Sequence, residues 1–189
     1  MDYTTQQKDV ILVKDLYFKK YIEHDDIQES IKKIADDIHV RHKGQNPIFL
    51  IILNGSFMFS SDLLKYYQGV CEISFIRLSS YSGTKTTEEV KTLIGLTDNI
   101  KNREVVILED IIDSGITISH LLKDLQQYEP KSVEVATLLL KPEALKTDIQ
   151  PDYVGLRIPT DFIVGFGLDY DGFGRNLKDI YKVLEKKQD

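Results

Sequence analysis

The chain has 189 residues, of which 42% are hydrophobic and 29% charged, as is typical of a soluble globular domain with enough length to bury a core. A formal net charge of −6 and a pI near 5.3 argue against a nucleic-acid-binding protein and against a protein drawn to an anionic membrane surface. Cys71 is the only cysteine, which excludes an intrachain disulfide and, with no apolar stretch of membrane-spanning length, favours a cytoplasmic protein.

The first part of the chain predicts a helix, a buried strand and a second helix. Four isoleucines recur at helical spacing within Ile27–Ile38, and Asp25-Asp26 is predicted to cap this helix. The apolar run Ile48–Leu53 predicts a buried strand that ends in the turn Asn54-Gly55-Ser56. A second helix is predicted from Phe57 to about Tyr67.

A long polar segment follows the next predicted strand. Glu72–Leu78 is predicted as a strand with Phe75 and Ile76 in its core. From Ser79 to about Val90 the chain is polar and shows no periodicity. Loops of this length are uncommon in compact domains unless they are functional, so we expect this segment to serve a site.

The most informative run is Val105–Thr117. Four apolar β-formers lead into Glu109 and Asp110, two more apolar residues follow, and Asp113 then opens a Ser-Gly-x-Thr turn. Helical spacing over Ile118–Leu125 places a helix N-terminus directly after that turn, and such a junction binds anions. A helix cap needs only one carboxylate, so three beside an anion site indicate a further ligand, either a sugar diol or a divalent cation.

The remaining strands indicate an α/β fold. Ser132–Leu140 is predicted as a strand, and shorter strands are predicted around Tyr153–Leu156, Phe162–Gly165 and Ile180–Leu184. Strands that alternate with helices predict a doubly wound, mostly parallel sheet whose ligands bind beyond the carboxyl ends of the strands. The histidines and Cys71 form no zinc-ligand pattern, so a bound metal should be a hard ion on oxygen ligands.

The run Val105–Thr117 resembles the signature of the type I phosphoribosyltransferases, which bind phosphoribosyl pyrophosphate. Further segments, from about Leu16 onward, resemble the hypoxanthine-guanine phosphoribosyltransferase family. They are Leu53-Asn54-Gly55-Ser56, Phe75–Tyr81, Ala136–Lys141, Pro151–Gly155 and Phe162–Tyr170.

The resemblance implies a fold and a domain organisation. The fold would be a mostly parallel twisted sheet flanked by helices, with a small hood formed by N- and C-terminal segments. Residues 1–189 would form a single domain, with a core over about 45–150 and the hood from about 10–25 and 151–189.

The resemblance also assigns the phosphoribosyl group and the metal to particular residues. Glu109 and Asp110 would face the ribose hydroxyls. The residues implied to wrap the 5′-phosphate are Asp113, Ser114, Gly115, Ile116 and Thr117. Mg²⁺ is the implied cofactor, with Glu109 and Asp110 as metal residues and Asp169 helping to hold a second Mg²⁺ on the pyrophosphate.

On the purine side, the resemblance implies four residues. Lys141 would donate to the 6-oxo group, because an ammonium has only donors and disfavours the amino group of adenine. Phe162 would stack on the ring, and Ile163 would offer backbone hydrogen bonds. Asp169 is placed beside the purine as well as on the metal.

The pyrophosphate side is assigned to Leu53, Asn54, Gly55 and Arg175. The loop Leu53-Asn54-Gly55 matches a family loop with a strained, often cis, peptide that presents backbone N–H groups. Asn54 stands where the family usually has lysine, which removes one cationic contact. Arg175 would contact the pyrophosphate, since a guanidinium suits oxyanion recognition.

The implied reaction transfers the phosphoribosyl group to N9 of hypoxanthine or guanine and releases pyrophosphate. Asp113 would be the general base that takes the purine N7 proton. Ser80 and Tyr81 match the dipeptide of a closing lid, in which Tyr81 would shield the reaction centre from water.

The implied partners are phosphoribosyl pyrophosphate, the two purines and further copies of the chain in a homodimer or homotetramer, with no nucleic acid and no membrane. Two other functions stay open: a preference for xanthine, and a nucleotide-sensing RNA-binding regulator that shares the signature. For single residues, simpler interpretations also stay open. Lys141 and Arg175 could be merely solvated, and Phe162 could be a core aromatic.

Overall fold

The structure is a computed structural model that describes residues 9–80, 90–94 and 99–184. In chain order the strands are β1 (Val10–Val13), β2 (Leu16–Ile22), β3 (Ile48–Leu53), β4 (Glu72–Ser80), β5 (Val90–Ile94), β6 (Glu104–Ile112), β7 (Ser132–Leu140), β8 (Tyr153–Arg157), β9 (Ile163–Val164) and β10 (Ile180–Val183). The helices are α1 (His24–Arg41), α2 (Phe57–Tyr66) and α3 (Ile116–Gln126), with a single 3-10 turn at Pro142–Ala144.

The larger sheet has six strands in the order β5-β4-β3-β6-β7-β8. Strands β4, β3, β6, β7 and β8 are parallel, whereas β5 pairs antiparallel with β4 at the edge. This arrangement confirms the prediction of a mostly parallel α/β sheet. Since the central strands run in one direction, their carboxyl ends share one edge, and the informative turns meet there.

Helices cover both faces of this sheet, which explains why its central strand β3 is apolar throughout. Along β3, Phe49 packs with α1 and α2, while Leu50 packs with α3 on the opposite face. Burying an aliphatic or aromatic side chain stabilises the fold by about 1.5–3 kcal/mol relative to exposure. The alternating contacts therefore fix β3 between two cores.

The smaller sheet, here called the hood sheet, has the order β1-β2-β10-β9 with antiparallel pairing throughout. Its core is formed by Phe18, Val13 and Val164, so segments from both ends of the chain meet in it. Its four strands lie within the segments that the resemblance assigns to a hood, whereas β8, which falls in the same C-terminal segment, belongs to the larger sheet.

The predicted cap of α1 is wrong. The helix begins at His24, so Asp25 and Asp26 lie within its first turn, and the residue at the cap position, Glu23, makes no capping side-chain hydrogen bond. Instead, Asp179 accepts a hydrogen bond of 2.8 Å from the His24 backbone N–H. A carboxylate from the far end of the chain thus substitutes for a local cap.

The predicted polar loop is shorter than expected at both ends. Strand β4 continues through Ser80, and Val90 already belongs to β5. The lid residue Tyr81 lies outside the described residues. In the C-terminal part, β9 comprises only Ile163–Val164 rather than the predicted Phe162–Gly165. Among the described helices, none has the length and apolar character required to cross a bilayer.

Candidate active site

Three backbone segments converge where β3 ends. The peptide bond between Leu53 and Asn54 is cis, in agreement with the conformation inferred from the family loop. A Cβ atom on Gly55 would come within 1.7 Å of Asp110 Oδ2, and one on Gly167 would come within 2.0 Å of the Gly55 carbonyl oxygen. Only glycines allow this approach, so the turn after β3 lies against both β6, which carries Asp110, and the loop that contains Gly167.

The two adjacent carboxylates lie inside β6 rather than beyond its end. Burial raises the pKa of Glu109 well above its usual range, and the charge of Asp110 adds to this effect. Glu109 Oε2 is buried and has no hydrogen-bond partner among the described residues. A carboxylate oxygen in this situation is suited to accept a hydrogen bond or a cation from a ligand.

Asp110 has a similar environment with a cation nearby. Burial raises the pKa of Asp110 to about 6, against the opposing effects of the Ile111 backbone N–H and of Arg175. The Ile111 N–H donates to Asp110 Oδ1 over 3.0 Å. The negative charge of Asp169 raises the pKa further, so Asp110, Asp169 and Arg175 influence one another electrostatically.

The predicted phosphate turn leads directly into α3. Gly115 precedes the helix with a φ of +77°, a left-handed conformation that favours glycine. A Cβ there would lie 2.4 Å from Thr147 Oγ1, and the Lys146 N–H donates to the Ser114 carbonyl over 2.9 Å. The segment after β7 therefore supports the turn, and α3 begins directly after it, at the end of a helix that favours bound anions.

Lys141 and Asp113 form an ion pair that sequence reasoning missed. Lys141 Nζ lies 2.7 Å from Asp113 Oδ2; the lysine side chain is only 9% exposed and that of the aspartate 56%. Ile112 at the end of β6 pairs with Leu140 at the end of β7. The residues that follow these two strands, Asp113 and Lys141, are therefore neighbours. The signal in the sequence is that Asp113 and Lys141 each follow a strand of the same length, and a contact between them depends on those strands being neighbours.

Phe162 lies at the edge of the hood sheet and is 43% exposed, so the core-aromatic interpretation is wrong. Its ring lies 6.0 Å from that of Phe18 and 5.7 Å from that of Tyr170, measured between centroids. Ile163 is buried in β9 and pairs with Lys182 of β10. The aromatic ring therefore has a supported side and a side open to a ligand.

Asp169 and Arg175 face each other across a glycine-rich loop. Arg175 Nη2 lies 2.6 Å from Asp169 Oδ1, and Arg175 Nη1 donates to the Gly167 carbonyl over 2.7 Å. The Gly172 N–H donates to Asp169 Oδ2 over 2.5 Å. Arg175 is thus held in place by two contacts, which contradicts the interpretation of a merely solvated side chain.

Comparison with known proteins supports the family resemblance described in the sequence analysis. A family model for the phosphoribosyl transferase domain matches residues 19–171. A hypoxanthine-guanine phosphoribosyltransferase of Lactococcus lactis is 40% identical over 84% of this chain and 87% of that protein. A bifunctional protein TilS/HprT of Listeria monocytogenes is 39% identical over 84% of this chain, but the chain spans only 25% of the length of that relative.

A solved structure shows the same fold. The crystal structure of a hypoxanthine-guanine phosphoribosyltransferase from Bacillus anthracis, with a HEPES molecule in its active site, is similar to this chain with a TM-score of 0.84. The two are 38% identical, and the match covers 88% of this chain and 98% of that one. With the family model, the relatives and the fold in agreement, this chain belongs to the hypoxanthine-guanine phosphoribosyltransferase family.

Proposed function

We propose that this chain is a purine salvage enzyme that transfers the 5-phosphoribosyl group from phosphoribosyl pyrophosphate to N9 of hypoxanthine or guanine. The products are IMP or GMP and pyrophosphate. The observation that carries this proposal is the ion pair of 2.7 Å between Lys141 and Asp113 beside the phosphate turn. The purine 6-oxo group and N7 are neighbours on one edge of the base, so a donor and a proton acceptor that recognise both must themselves be neighbours.

Asp113 acts as the general base in this proposal. As N9 forms its bond to the anomeric carbon, the proton on N7 passes to the Asp113 carboxylate. Lys141 holds this carboxylate in place and donates to the 6-oxo group, and the exposed Phe162 stacks on the purine ring. The combination selects oxo-purines over adenine, since Lys141 can only donate.

Glu109 and Asp110 are proposed to bind the ribose hydroxyls. Their desolvated carboxylates are strong acceptors. Glu109 Oε2, which has no partner in the described part of the chain, gains a hydrogen bond when a hydroxyl donates to it. The residues from Asp113 to Thr117 receive the 5′-phosphate at the start of α3. Leu53, Asn54 and Gly55 supply backbone groups to the pyrophosphate, and Arg175 supplies positive charge.

Mg²⁺ is the proposed cofactor, with Glu109 and Asp110 at one ion and Asp169 at a second ion on the pyrophosphate. These residues fit the ion because they offer hard oxygen ligands, one of them an unpartnered buried oxygen. Within the part of the chain that the structure describes, no three His, Cys, Asp or Glu side chains form a metal cage. Mg²⁺ usually takes one or two carboxylates with substrate phosphates and water, and when bound it neutralises charge on the departing pyrophosphate.

Ser80 and Tyr81 are proposed to form the lid. Strand β4 ends with Ser80 at the carboxyl edge of the sheet, the edge at which the site lies, and the proposed lid segment begins there. Exclusion of water by this segment would protect the electron-poor anomeric carbon from hydrolysis.

The chain is further proposed to act in the cytoplasm as a single domain that assembles into a homodimer or homotetramer. Ile73 and Phe75 alternate along β4 and are 49% and 48% exposed, so the prediction of Phe75 as a core residue is wrong, whereas Ile76 is buried as predicted. The two exposed side chains form an apolar strip suited to contact with another copy. The acidic net charge supports small-molecule substrates rather than nucleic acid.

An assay with phosphoribosyl pyrophosphate, Mg²⁺ and one of five bases tests the proposal. We expect turnover with hypoxanthine and guanine, and little with adenine or uracil. Turnover confined to xanthine would establish the alternative base preference. Turnover confined to uracil, or none with any base, would overturn the proposal, and RNA binding by the inactive chain would then favour a regulator.

A further inference from the structure

The turn between β1 and β2 contacts the loop that carries Asp169 and Arg175. We propose that this turn, Lys14-Asp15, is a positioning element that fixes Tyr170 against Phe162. It thereby connects the purine half of the site, which contains Phe162, to the pyrophosphate half, which contains Arg175. The inference rests on the proposed roles of Phe162, Asp169 and Arg175 described above.

Tyr170 is the residue through which the two halves are connected. Its ring meets the Phe162 ring edge-on, with centroids 5.7 Å apart and an angle of 86° between the planes, and lies 6.4 Å from the Phe18 ring. The Tyr170 hydroxyl donates to Asp15 Oδ1 over 3.0 Å. Tyr170 also follows Asp169 directly in the chain. A shift of the Tyr170 ring would therefore displace the Phe162 ring and the Asp169 carboxylate together.

Lys14 also contacts the loop that follows Asp169. Its Nζ lies 2.8 Å from Asp171 Oδ2, 5.4 Å from the centre of the Tyr170 ring and 5.8 Å from that of Phe173. The loop is also closed on itself, because Tyr170 and Phe173 exchange two backbone hydrogen bonds of 2.9 and 3.0 Å. The turn from β1 to β2 therefore contacts a preformed loop at both its charged and its aromatic side chains.

These contacts contribute little to the stability of the fold. The Lys14 and Asp171 side chains are 37% and 65% exposed, and exposed ion pairs are typically worth about 0–1 kcal/mol. Small displacements nevertheless reduce substrate affinity and turnover, since binding groups must lie within a fraction of an ångström of the productive geometry. A positioning role and a structural role thus predict different measurements.

The test compares Asp15→Ala and Tyr170→Phe, which remove the same hydrogen bond from opposite sides. We expect each to raise the KM for hypoxanthine and the KM for phosphoribosyl pyrophosphate about threefold to tenfold, the range for one lost hydrogen bond, with a smaller change in kcat. The double variant should match either single variant, because both remove one interaction. Asp15→Asn keeps an acceptor oxygen and should restore both KM values.

The matched control is Lys101→Ala, which removes an exposed ion pair with Glu129 near the amino end of β6. Thermal unfolding of the four variants at positions 15 and 170 should differ from the wild type no more than the control does. Unchanged KM values in an active enzyme, or a loss of kcat in step with a loss of folded protein, would overturn this inference alone. A wild-type chain inactive with every base would overturn the proposed function and the inference with it.

Discussion

Asp110 is the residue at which ligand binding and folding stability oppose each other. Burial raises the pKa of its carboxyl to about 6 from an ordinary value of 3.8. Between these two values the folded chain binds more protons than the unfolded chain, so this group lowers stability as pH rises from about 4 to 6. Above pH 6 both states are ionised, and the folded state retains the full desolvation cost.

Replacement of Asp110 by Asn should therefore stabilise the ligand-free chain while reducing substrate binding. At pH 7.5 without Mg²⁺ or substrate, we expect the free energy of unfolding to rise by about 1–3 kcal/mol, since the isosteric amide carries no charge. Urea unfolding measures this change. Phosphoribosyl pyrophosphate with Mg²⁺ should then stabilise the wild type more than the variant, because ligand stabilisation depends on affinity. Equal stability of the two ligand-free proteins would contradict the prediction.

Asp113 is the residue on which turnover should depend most strongly. Asp113→Asn keeps the shape of the side chain but cannot accept the N7 proton, so we expect kcat to fall about 10²- to 10⁴-fold. Binding of phosphoribosyl pyrophosphate, measured by calorimetry, should stay largely intact. Asp124→Asn is the control, because it removes an exposed carboxylate on α3. Unchanged turnover in the Asp113 variant would exclude the general-base role.

At the scale of single elements, the start of α1 is capped by a side chain that is distant in the sequence rather than by a neighbouring one. Asp179 is 5% exposed, accepts the His24 N–H, and lies 3.7 Å from Lys20 Nζ. Loss of a capping side chain costs about 0.5–2 kcal/mol. We expect Asp179→Ala to destabilise the chain by at least this amount, as measured by thermal unfolding.

Asp25→Ala is the informative control for that change, because Asp25 is exposed in the first turn, where a carboxylate interacts favourably with the helix dipole. Such an interaction is worth about 0.3–1 kcal/mol. A larger loss for Asp25→Ala than for Asp179→Ala would show that the local carboxylate, rather than the distant one, stabilises the start of α1.

Elements with a clear apolar period could be predicted from the sequence, and elements with an ambiguous one could not. Strand β3 and helix α2 are found where the sequence predicts them, because β3 is apolar throughout and α2 buries Phe59 and Leu63 one turn apart. Strand β2 was missed because its inward positions include Lys20 beside Phe18 and Ile22, while tyrosines occupy the outward positions. Lys20 is explained by Asp179, more than 150 residues later in the chain.

The same distinction applies to the site. Motifs such as Glu109-Asp110 and Asp113–Thr117 can be recognised in the sequence, since their residues are consecutive in the chain. The Lys141–Asp113 pair and the contact of Gly55 with Asp110 could not be recognised, because each depends on which strands are neighbours in the sheet. Sheet order follows from packing of the whole chain rather than from any one segment.

At the scale of the whole molecule, a buried histidine connects one end of α1 to the large sheet. His42 is 3% exposed; its Nδ1 lies 3.2 Å from Glu104 Oε2 on β6 and its Nε2 lies 3.0 Å from Glu134 Oε2 on β7. Glu134 also accepts a hydrogen bond of 2.7 Å from the Tyr153 hydroxyl on β8. Four elements thus meet around two carboxylates at the edge opposite the candidate active site.

This network should determine how the chain responds to acid. The hydrogen bond from Lys131, assisted by His42, lowers the pKa of Glu104. For Glu134, burial alone would raise the pKa, but hydrogen bonds from Tyr153 and His42 outweigh burial and lower it. Below the unfolded value of 4.5 the unfolded chain binds more protons than the folded one, so the stabilisation is present above about pH 4.5 and is lost as pH falls through the folded pKa values.

Glu134→Gln tests this response across the whole molecule. At pH 7 we expect it to lower the free energy of unfolding by about 1–3 kcal/mol, the range for hydrogen bonds to a charged group. The difference from the wild type should shrink as pH falls below 4.5, because the wild-type carboxylate then becomes neutral as well. Glu129→Gln, which affects only the exposed pair with Lys101, should show a small difference that barely changes with pH. Urea unfolding at pH 7, 5 and 3.5 measures both series, and a constant Glu134→Gln difference across them would show that the charge of Glu134 does not contribute to stability.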